Sequence, residues 1–248
     1  MQGSTAIPEA LTGALRAARR VCVLTGAGVS AESGVPTFRE AQTGLWEKYR
    51  PESLATMEAF LADPAFVWKW YRWRRELVAK SRPNAGHIAL AELERRFDEF
   101  TLVTQNVDRL HRAGGSQNIV EFHGDLFADI CIAGCADPAA NDDEIPYCNH
   151  CGNLLRPGVV WFGEAIPQQA LYRSSEAAER CDVMLCVGTS SQVYPAAGLT
   201  GLARQSGAVT AEINPEPTGG PEFNFVIAGQ SGLILPELVA SLEQSSDE

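Results

Sequence analysis

His123 sits in Phe122-His123-Gly124-Asp125, and an imidazole is the side chain whose ordinary pKa lets it take a proton near neutrality. The other three histidines are less well placed: His87 and His111 lie in helix-like stretches, and His150 is wedged between two cysteines. Position 123 is therefore the best base in the chain, with a purely structural histidine as the plain alternative. Thr104-Gln105-Asn106-Val107-Asp108 follows directly on an apolar run. Its two amides and one carboxylate suit ribose hydroxyls and a carboxamide, although an Asx turn opening the helical stretch DRLHRAGG would use the same residues. Thr25-Gly26-Ala27-Gly28 bares the backbone, so that N–H groups and a helix N-terminus can approach a diphosphate; a tight strand-to-helix turn without ligand has the same look. Cys131-x3-Cys135 and Cys148-x2-Cys151 gather four thiols within 21 residues, the donor set of a tetrahedral zinc ion with no open position and hence no catalytic role. The connecting loop is only twelve residues, and His150 is the alternative ligand.

These side chains need rigid carriers. Val21 to Leu24 is a short apolar run expected of a buried parallel strand, preceded by an amphipathic helix over residues 8–20. After the glycine turn, Ser30 to Ser33 is expected to open a helix that Gly34 and Pro36 stop after little more than one turn. Here a dehydrogenase pattern fails. GAGVSA matches G-x-G-x-x-A, but the helix does not run on, and the acidic residue due about twenty positions later is missing, because Glu47 lies in GLWEKYR, which has no strand character. Residues 42–80, rich in Trp, Tyr, Leu and Arg, predict a helical insertion, and Asn84 to Arg96 a helix capped by Asn84. Phe100–Thr104, Val183–Gly188 and Ala208–Ile213 are further strands, the last two separated by the helix-like AAGLTGLARQSG. Gly188-Thr189-Ser190-Ser191 and Glu212 to Glu216 end two of these strands with the small, hydrogen-bonding residues a nucleotide crevice needs. The alternation predicts an α/β fold: a Rossmann-like parallel sheet with helices on both faces, plus a small domain made of a helical insertion and a zinc-binding module. Segments 1–40, 84–125 and 158–248 would form the nucleotide-binding domain, 41–83 the insertion and 126–157 the polar, Cys-bearing zinc module.

At 248 residues and 45% hydrophobic content the chain can bury a large core. A net charge of −11 argues against broad binding to nucleic acid or anionic membrane and suits a basic peptide partner. No apolar run approaches the ~18–20 residues of a membrane span, and no basic-then-apolar leader opens the chain. Seven cysteines, four of them at metal-like spacing, fit a reducing compartment. A cytoplasmic monomer is the expectation.

In this order, GAGVSAESGVPTFR, TQNVD, FHGD, VVWFGE, GTSSQV and INPEPT resemble the sirtuin family of NAD-dependent protein-lysine deacylases over roughly residues 20–235. The resemblance implies that Gly26, Ala27, Gly28, Ser30 and Arg39 contact NAD, with Phe38 closing over the nicotinamide side. It implies further that Gln105, Asn106 and Asp108 line the ribose and nicotinamide pocket, and that Gly188, Thr189, Ser190, Asn214, Glu216 and Ser231 hold the adenosine half. In the family's reaction nicotinamide leaves the ribose, the acyl-lysine oxygen attacks, and a histidine matching His123 is the general base on a ribose hydroxyl. The products are nicotinamide, free lysine and O-acyl-ADP-ribose. The four cysteines match a structural zinc site of the family. Val159 to Glu164, with Val160 and Phe162, resembles the segment that pairs with the substrate peptide as an added strand, although an ordinary core strand reads the same and Gly158 stands where a side chain would be expected.

Within residues 65–78, Phe66, Trp70, Trp73 and Leu77 form an apolar helical face assigned to the core, and the adjacent stripe is Val67, Tyr71, Arg74 and Val78. Tyr71 and Arg74, three apart, project from one side. A guanidinium facing inwards needs an anion, and a carboxylate suits its fork, whereas a surface arginine would pair with a nearby glutamate. Tyr-x-x-Arg, Ala55 and Thr37 are similar to the sirtuin subgroup (class III) that removes succinyl, malonyl and glutaryl groups. That likeness implies a wide channel at Ala55 with Tyr71 and Arg74 on the distal carboxylate. Two competing functions use the same residues: protein ADP-ribosylation from the same NAD pocket, and a non-catalytic NAD- or zinc-binding module. The second would have no use for a general base.

Overall fold

The computed structural model of the chain describes residues 6–36, 54–136, 138 and 144–243. Its strands are β1 (Arg20–Thr25), β2 (Glu99–Thr104), β3 (Ile119–Glu121), β4 (Gly124–Cys131), β5 (Leu155–Val159), β6 (Val183–Val187), β7 (Val209–Asn214) and β8 (Phe225–Ala228). Its helices are α1 (Glu9–Ala17), α2 (Ala27–Ala31), α3 (Met57–Ala62), α4 (Pro64–Ala79), α5 (Ala85–Glu94), α6 (Leu110–Ala113), α7 (Gln168–Arg180), α8 (Gly198–Gln205) and α9 (Ser231–Glu243).

Six strands pair in parallel in the order β3-β2-β1-β6-β7-β8, with Val23 opposite Leu102 on one side and Leu185 on the other. The order turns back between β1 and β6. At such a switch point neighbouring loops diverge and leave a crevice at the carboxyl ends of the strands. Because strand side chains alternate, Val21 and Val23 join Leu102 and Leu185 under α1, α5 and α9, through Leu11, Leu90 and Leu238. Cys22 and Leu24 join Val103 and Met184 on the opposite face, under α7 and α8 through Ala178 and Leu199. The expected Rossmann-like sheet with helices on both faces is the observed architecture.

A second core joins α3 and α4 to β4 and β5, which pair antiparallel as a separate ribbon. The stretch read as a polar, Cys-bearing zinc module thus begins and ends in strands. Trp68 Nε1 donates to Leu155 O at 2.9 Å, and Arg75 donates to Leu126 O at 2.6 Å and to Asp129 at 2.7 Å, tying the helical insertion to the ribbon. Gly158 is explained here, since a Cβ at that position would lie 2.9 Å from Ala128 Cβ across the ribbon. No helix among the described residues is long and apolar enough to cross a membrane.

Two local expectations need correction. The helix after β1 begins at Ala27, not Ser30, because Gly26 already supplies the first helical carbonyl, to Val29 N at 3.1 Å. In α4 the deepest residues are Val67, Trp68, Trp70, Tyr71 and Val78, while Phe66, Trp73 and Leu77 are only half-buried. The stripe carrying Tyr71 therefore faces inwards more than the face assigned to the core, because the ribbon covers it.

Asn84 caps α5 as expected, accepting from Gly86 N at 2.9 Å, and His87 Nδ1 reciprocates by accepting from Asn84 N at 3.3 Å. That acceptor role requires a neutral imidazole, and burial pushes His87 down to about 4. His111, its ring centroid 4.7 Å from that of His87, is likewise buried and lowered well below its ordinary value. An unfolded histidine takes its proton near pH 6.5 and the folded ones do not, so stability present above that pH is lost as pH falls towards 4. At pH 5 the His87 share alone is about 2 kcal/mol. Urea midpoints measured at pH 8, 6 and 5 should fall in that order, and His87→Gln, which keeps a capping acceptor, should flatten the dependence. Equal midpoints at pH 8 and 5 would refute it.

Candidate active site

The loops that the sequence singled out meet at the carboxyl ends of β1, β2, β6 and β7. Gly26 N donates to Val187 O at 3.1 Å and Gly28 N to Gly188 O at 2.8 Å, stitching the turn after β1 to the turn after β6. A Cβ on Gly26 would lie 2.6 Å from Thr189 Cβ, and one on Gly188 (φ +58°) would lie 2.6 Å from Val29 N. These glycines thus answer first to two backbones crossing, and their N–H groups are spent inside the protein. Exposed Ala27 opens the first turn of α2 beside them.

Asn106 Nδ2 donates to Gly26 O at 3.0 Å and to Ser30 Oγ at 2.9 Å, which fixes its rotamer. Gln105 Nε2 donates to Thr189 Oγ1 at 3.0 Å, and Asn214 Nδ2 to Thr189 O at 2.9 Å. Beneath them Thr25 Oγ1 bonds Thr104 Oγ1 at 2.9 Å, and Asn106 N donates to the same Thr104 oxygen at 3.1 Å. Buried Asp108 accepts from Leu110 N at 2.8 Å and opens α6, so its Asx turn is real. Burial raises its pKa, against hydrogen bonds from Ser30 and Leu110.

His123 lies in the turn between β3 and β4. Its Nδ1 is 3.2 Å from Gln105 O, and a carbonyl only accepts, so Nδ1 carries the proton and Nε2 keeps its lone pair. Burial lowers its pKa, with the Gln105 carbonyl opposing. The imidazole is therefore neutral at pH 7, the state a general base needs. Gly124 takes φ +83°, and a Cβ there would meet Gly158 O at 2.2 Å, which accounts for the glycine after the histidine.

Ser190 and Glu216 are exposed after β6 and β7. Ser231 is buried at the start of α9 and donates to Glu32, which also accepts from Gly232 N at 3.0 Å. Thr37, Phe38 and Arg39 lie outside the described residues. On the other side of the site, Phe162 N donates to Ala55 O at 2.9 Å and Val160 N to His123 O at 2.8 Å. The strand ends at Val159, so Val160 to Glu164 is a turn anchored to both lobes, with Phe162 49% exposed. Tyr71 is buried and pushed up to about 12, chiefly by that burial. Burial also lowers Arg74, against the pull of Tyr71 and Asp108, and its guanidinium lies 4.9 Å from the Trp70 ring centroid.

Several residues that shape the site appeared in the motifs only as neighbours, with no role of their own. Glu212, fully buried, accepts from Thr218 N at 2.8 Å and Gly219 N at 2.9 Å and so folds the loop after β7. A charge within an apolar strand was its signal. Thr25, Thr104 and Glu32 act on the loops from below and offered no such signal. A separate cavity of about 140 Å³, lined by Arg20, Glu99, Asn118, Arg173 and Arg180, lies at the amino ends of β1 and β2, away from these loops.

The sulfur atoms of Cys131, Cys135, Cys148 and Cys151 all lie within 4.8 Å of one another. A tetrahedron of Zn–S bonds of about 2.3 Å has edges of about 3.8 Å, so the four thiols fit zinc. His150 is exposed and outside this group. Asn153, 3.3 Å from Cys151 Sγ, pulls that thiol down to about 6, while its bond with Cys151 holds Cys135 up to about 12. Four thiols this close cannot all ionise without a cation among them.

The Sir2 family model matches residues 26–195. An NAD-dependent protein deacylase of Ralstonia nicotianae is 52% identical over 230 residues, 91% of this chain and 93% of that protein. A Sir2 homolog crystallised in complex with NAD superposes with a TM-score of 0.90 at 43% identity, over 99% of this chain and 97% of that one. A mutant Sir2 homologue in complex with 2′-O-acetyl ADP-ribose gives a TM-score of 0.87 at 42% identity, over 98% of this chain and 99% of that one. Family model, sequence and fold agree over the span that carries the loops, and the chain belongs to the Sir2 family, the sirtuins.

Proposed function

We propose that the chain is an NAD-dependent protein-lysine deacylase whose preferred acyl group ends in a carboxylate, succinyl or malonyl ahead of acetyl, and whose products are nicotinamide, free lysine and O-acyl-ADP-ribose. The relatives' deacylase names and the O-acetyl ADP-ribose bound to one homologue support the reaction class. The polar groups gathered at the strand ends suit NAD: the side-chain amides of Gln105 and Asn106, the Asp108 carboxyl and the hydroxyl of Thr189, on a crevice whose backbones are held together by glycine contacts. When bound, NAD supplies a ribose carbon from which nicotinamide can depart. Gln105, Asn106 and Asp108 orient that half, while Thr189 and Asn214 hold the other. His123 Nε2 accepts a proton from a sugar hydroxyl presented to it. Val160 and Phe162 run beside the peptide, and the four cysteines hold zinc without touching the chemistry.

The acyl preference rests on one observation. A cation, Arg74, is half-buried next to the buried Tyr71 phenol, and burial disfavours its charge. A carboxylate arriving there would restore what desolvation took, and an acetyl group would not. Arg74→Met should therefore raise KM for a succinyl-lysine peptide, with kcat/KM falling about 10- to 150-fold, the worth of a charge-assisted hydrogen bond of about 1.5–3 kcal/mol. Acetyl-lysine turnover should change little. Mass spectrometry of acyl-peptides incubated with NAD reads both. An acetyl preference in the wild type, or equal losses on both peptides, refutes the carboxylate pocket.

A further inference from the structure

Trp161 lies between the two residues proposed to flank the peptide, yet its ring points elsewhere. Its Nε1 is 2.7 Å from Tyr71 Oη, and both side chains are almost fully buried. An indole N–H only donates, so the Tyr71 oxygen accepts and the phenol's own proton is turned away from the indole.

Trp161 is itself held at its main chain and at its ring. Trp161 N donates to Glu164 Oε2 at 2.9 Å. Glu164 is paired with Arg156 at 2.8 Å, and the Arg156 guanidinium lies 4.2 Å from the Trp161 ring centroid. Phe60 packs against the ring at 5.4 Å. The run Arg156–Glu164–Trp161–Tyr71 therefore crosses from the ribbon to α4 and ends on one hydroxyl.

We infer that Trp161 is a positioning residue for acyl specificity, its indole N–H presetting the Tyr71 hydroxyl as a donor to the distal carboxylate of the acyl group. The inference rests on the carboxylate-pocket assignment of Tyr71 and Arg74. A phenol free to rotate can present lone pair or proton, and only the proton attracts an anion. With one lone pair held by Trp161, the donor orientation is in place before the substrate arrives, so less ordering is required on binding.

The test is kcat and KM on succinyl-lysine and acetyl-lysine peptides for wild type, Trp161→Phe, Tyr71→Phe and the double variant. Trp161→Phe should lower the succinyl-to-acetyl ratio of kcat/KM about tenfold, mainly through KM, the size of one well-placed hydrogen bond. In the Tyr71→Phe background the same change should move the ratio less than about twofold, because residues acting through one another are not additive. A merely structural tryptophan would lower the ratio equally in both backgrounds. Should Trp161→Phe fail to fold, benzothienylalanine at position 161 replaces the ring N–H by sulfur at nearly constant shape and serves the same comparison. An unchanged ratio in either variant, while the wild type prefers succinyl, overturns the role of Trp161 alone. A wild type without succinyl preference overturns the carboxylate pocket and this role with it.

Discussion

His123→Ala is expected to slow NAD-dependent deacylation at least about a hundredfold, the low end of what a positioned base contributes. The geometry narrows the expectation beyond that magnitude. Because Nδ1 donates to the Gln105 carbonyl at 3.2 Å, only Nε2 can accept a proton. The same Gln105 reaches Thr189 with its side chain, so the base and the cofactor loops share a single anchor. Burial sets the His123 pKa below its ordinary value, so the acidic limb of kcat/KM should lie below about pH 6.5, the free-histidine value. The fold should survive, since the side chain is only half-buried and the Val160 contact uses the His123 main chain. Steady-state rates across pH, with a thermal melt as control, check both parts. Turnover near that of the wild type in this variant would remove His123 from its role.

The sheet was legible where hydrophobicity and strand length left no alternative. Val21–Leu24 and Val183–Val187 are buried on both faces, and a continuous apolar run of that length between turn residues has few other uses. β3 and β8, with three and four residues, are too short for such a signal and exist because a neighbour pairs with them. β4 was hidden for a different reason. Its residues Gly124–Cys131 alternate poorly and are mostly half-buried, because one side packs on α4 while the other is open. The site was legible as motifs but not as a mechanism. Gly26 and Gly28 looked like a phosphate cradle and Gly188 like the edge of a nucleotide crevice, and the close packing at all three is a contact between two loops distant in sequence. The α4 faces show the same limit: helical spacing puts Tyr71 with Arg74, but only the ribbon across α4 decides which stripe goes inside. VVWFGE was recognisable as a unit, whereas the bond from Trp161 to Tyr71 joins residues ninety positions apart and has no trace in either local pattern.

Replacing Cys148 or Cys151 by alanine, or stripping the metal with a chelator, is expected to destabilise the protein rather than alter its chemistry selectively. The four sulfurs bridge the far ends of the ribbon, beyond Cys131 on β4 and ahead of Leu155 on β5. Cys131 and Cys148 are also part of the core that α4 covers with Trp68 and Tyr71. Without a cation the cluster must hold protons on thiols packed as closely as the 3.6 Å between Cys131 and Cys151. Binding free energy at a structural zinc is folding free energy, so its loss falls on the whole second lobe. Each kcal/mol lost moves the thermal midpoint by about 2–4 °C in a chain of this size. A fall of about 10 °C or more is expected, since structural zinc sites are worth several such steps. Metal analysis should return one zinc per chain. Below the lowered midpoint, the fraction still folded should keep its succinyl-to-acetyl ratio, because Arg74 acts from α4 and His123 from the turn before β4, neither of them from the cluster. A zinc-free chain with unchanged midpoint and activity would sink the four-cysteine site. A variant that kept its midpoint but lost kcat would instead move the metal into the chemistry.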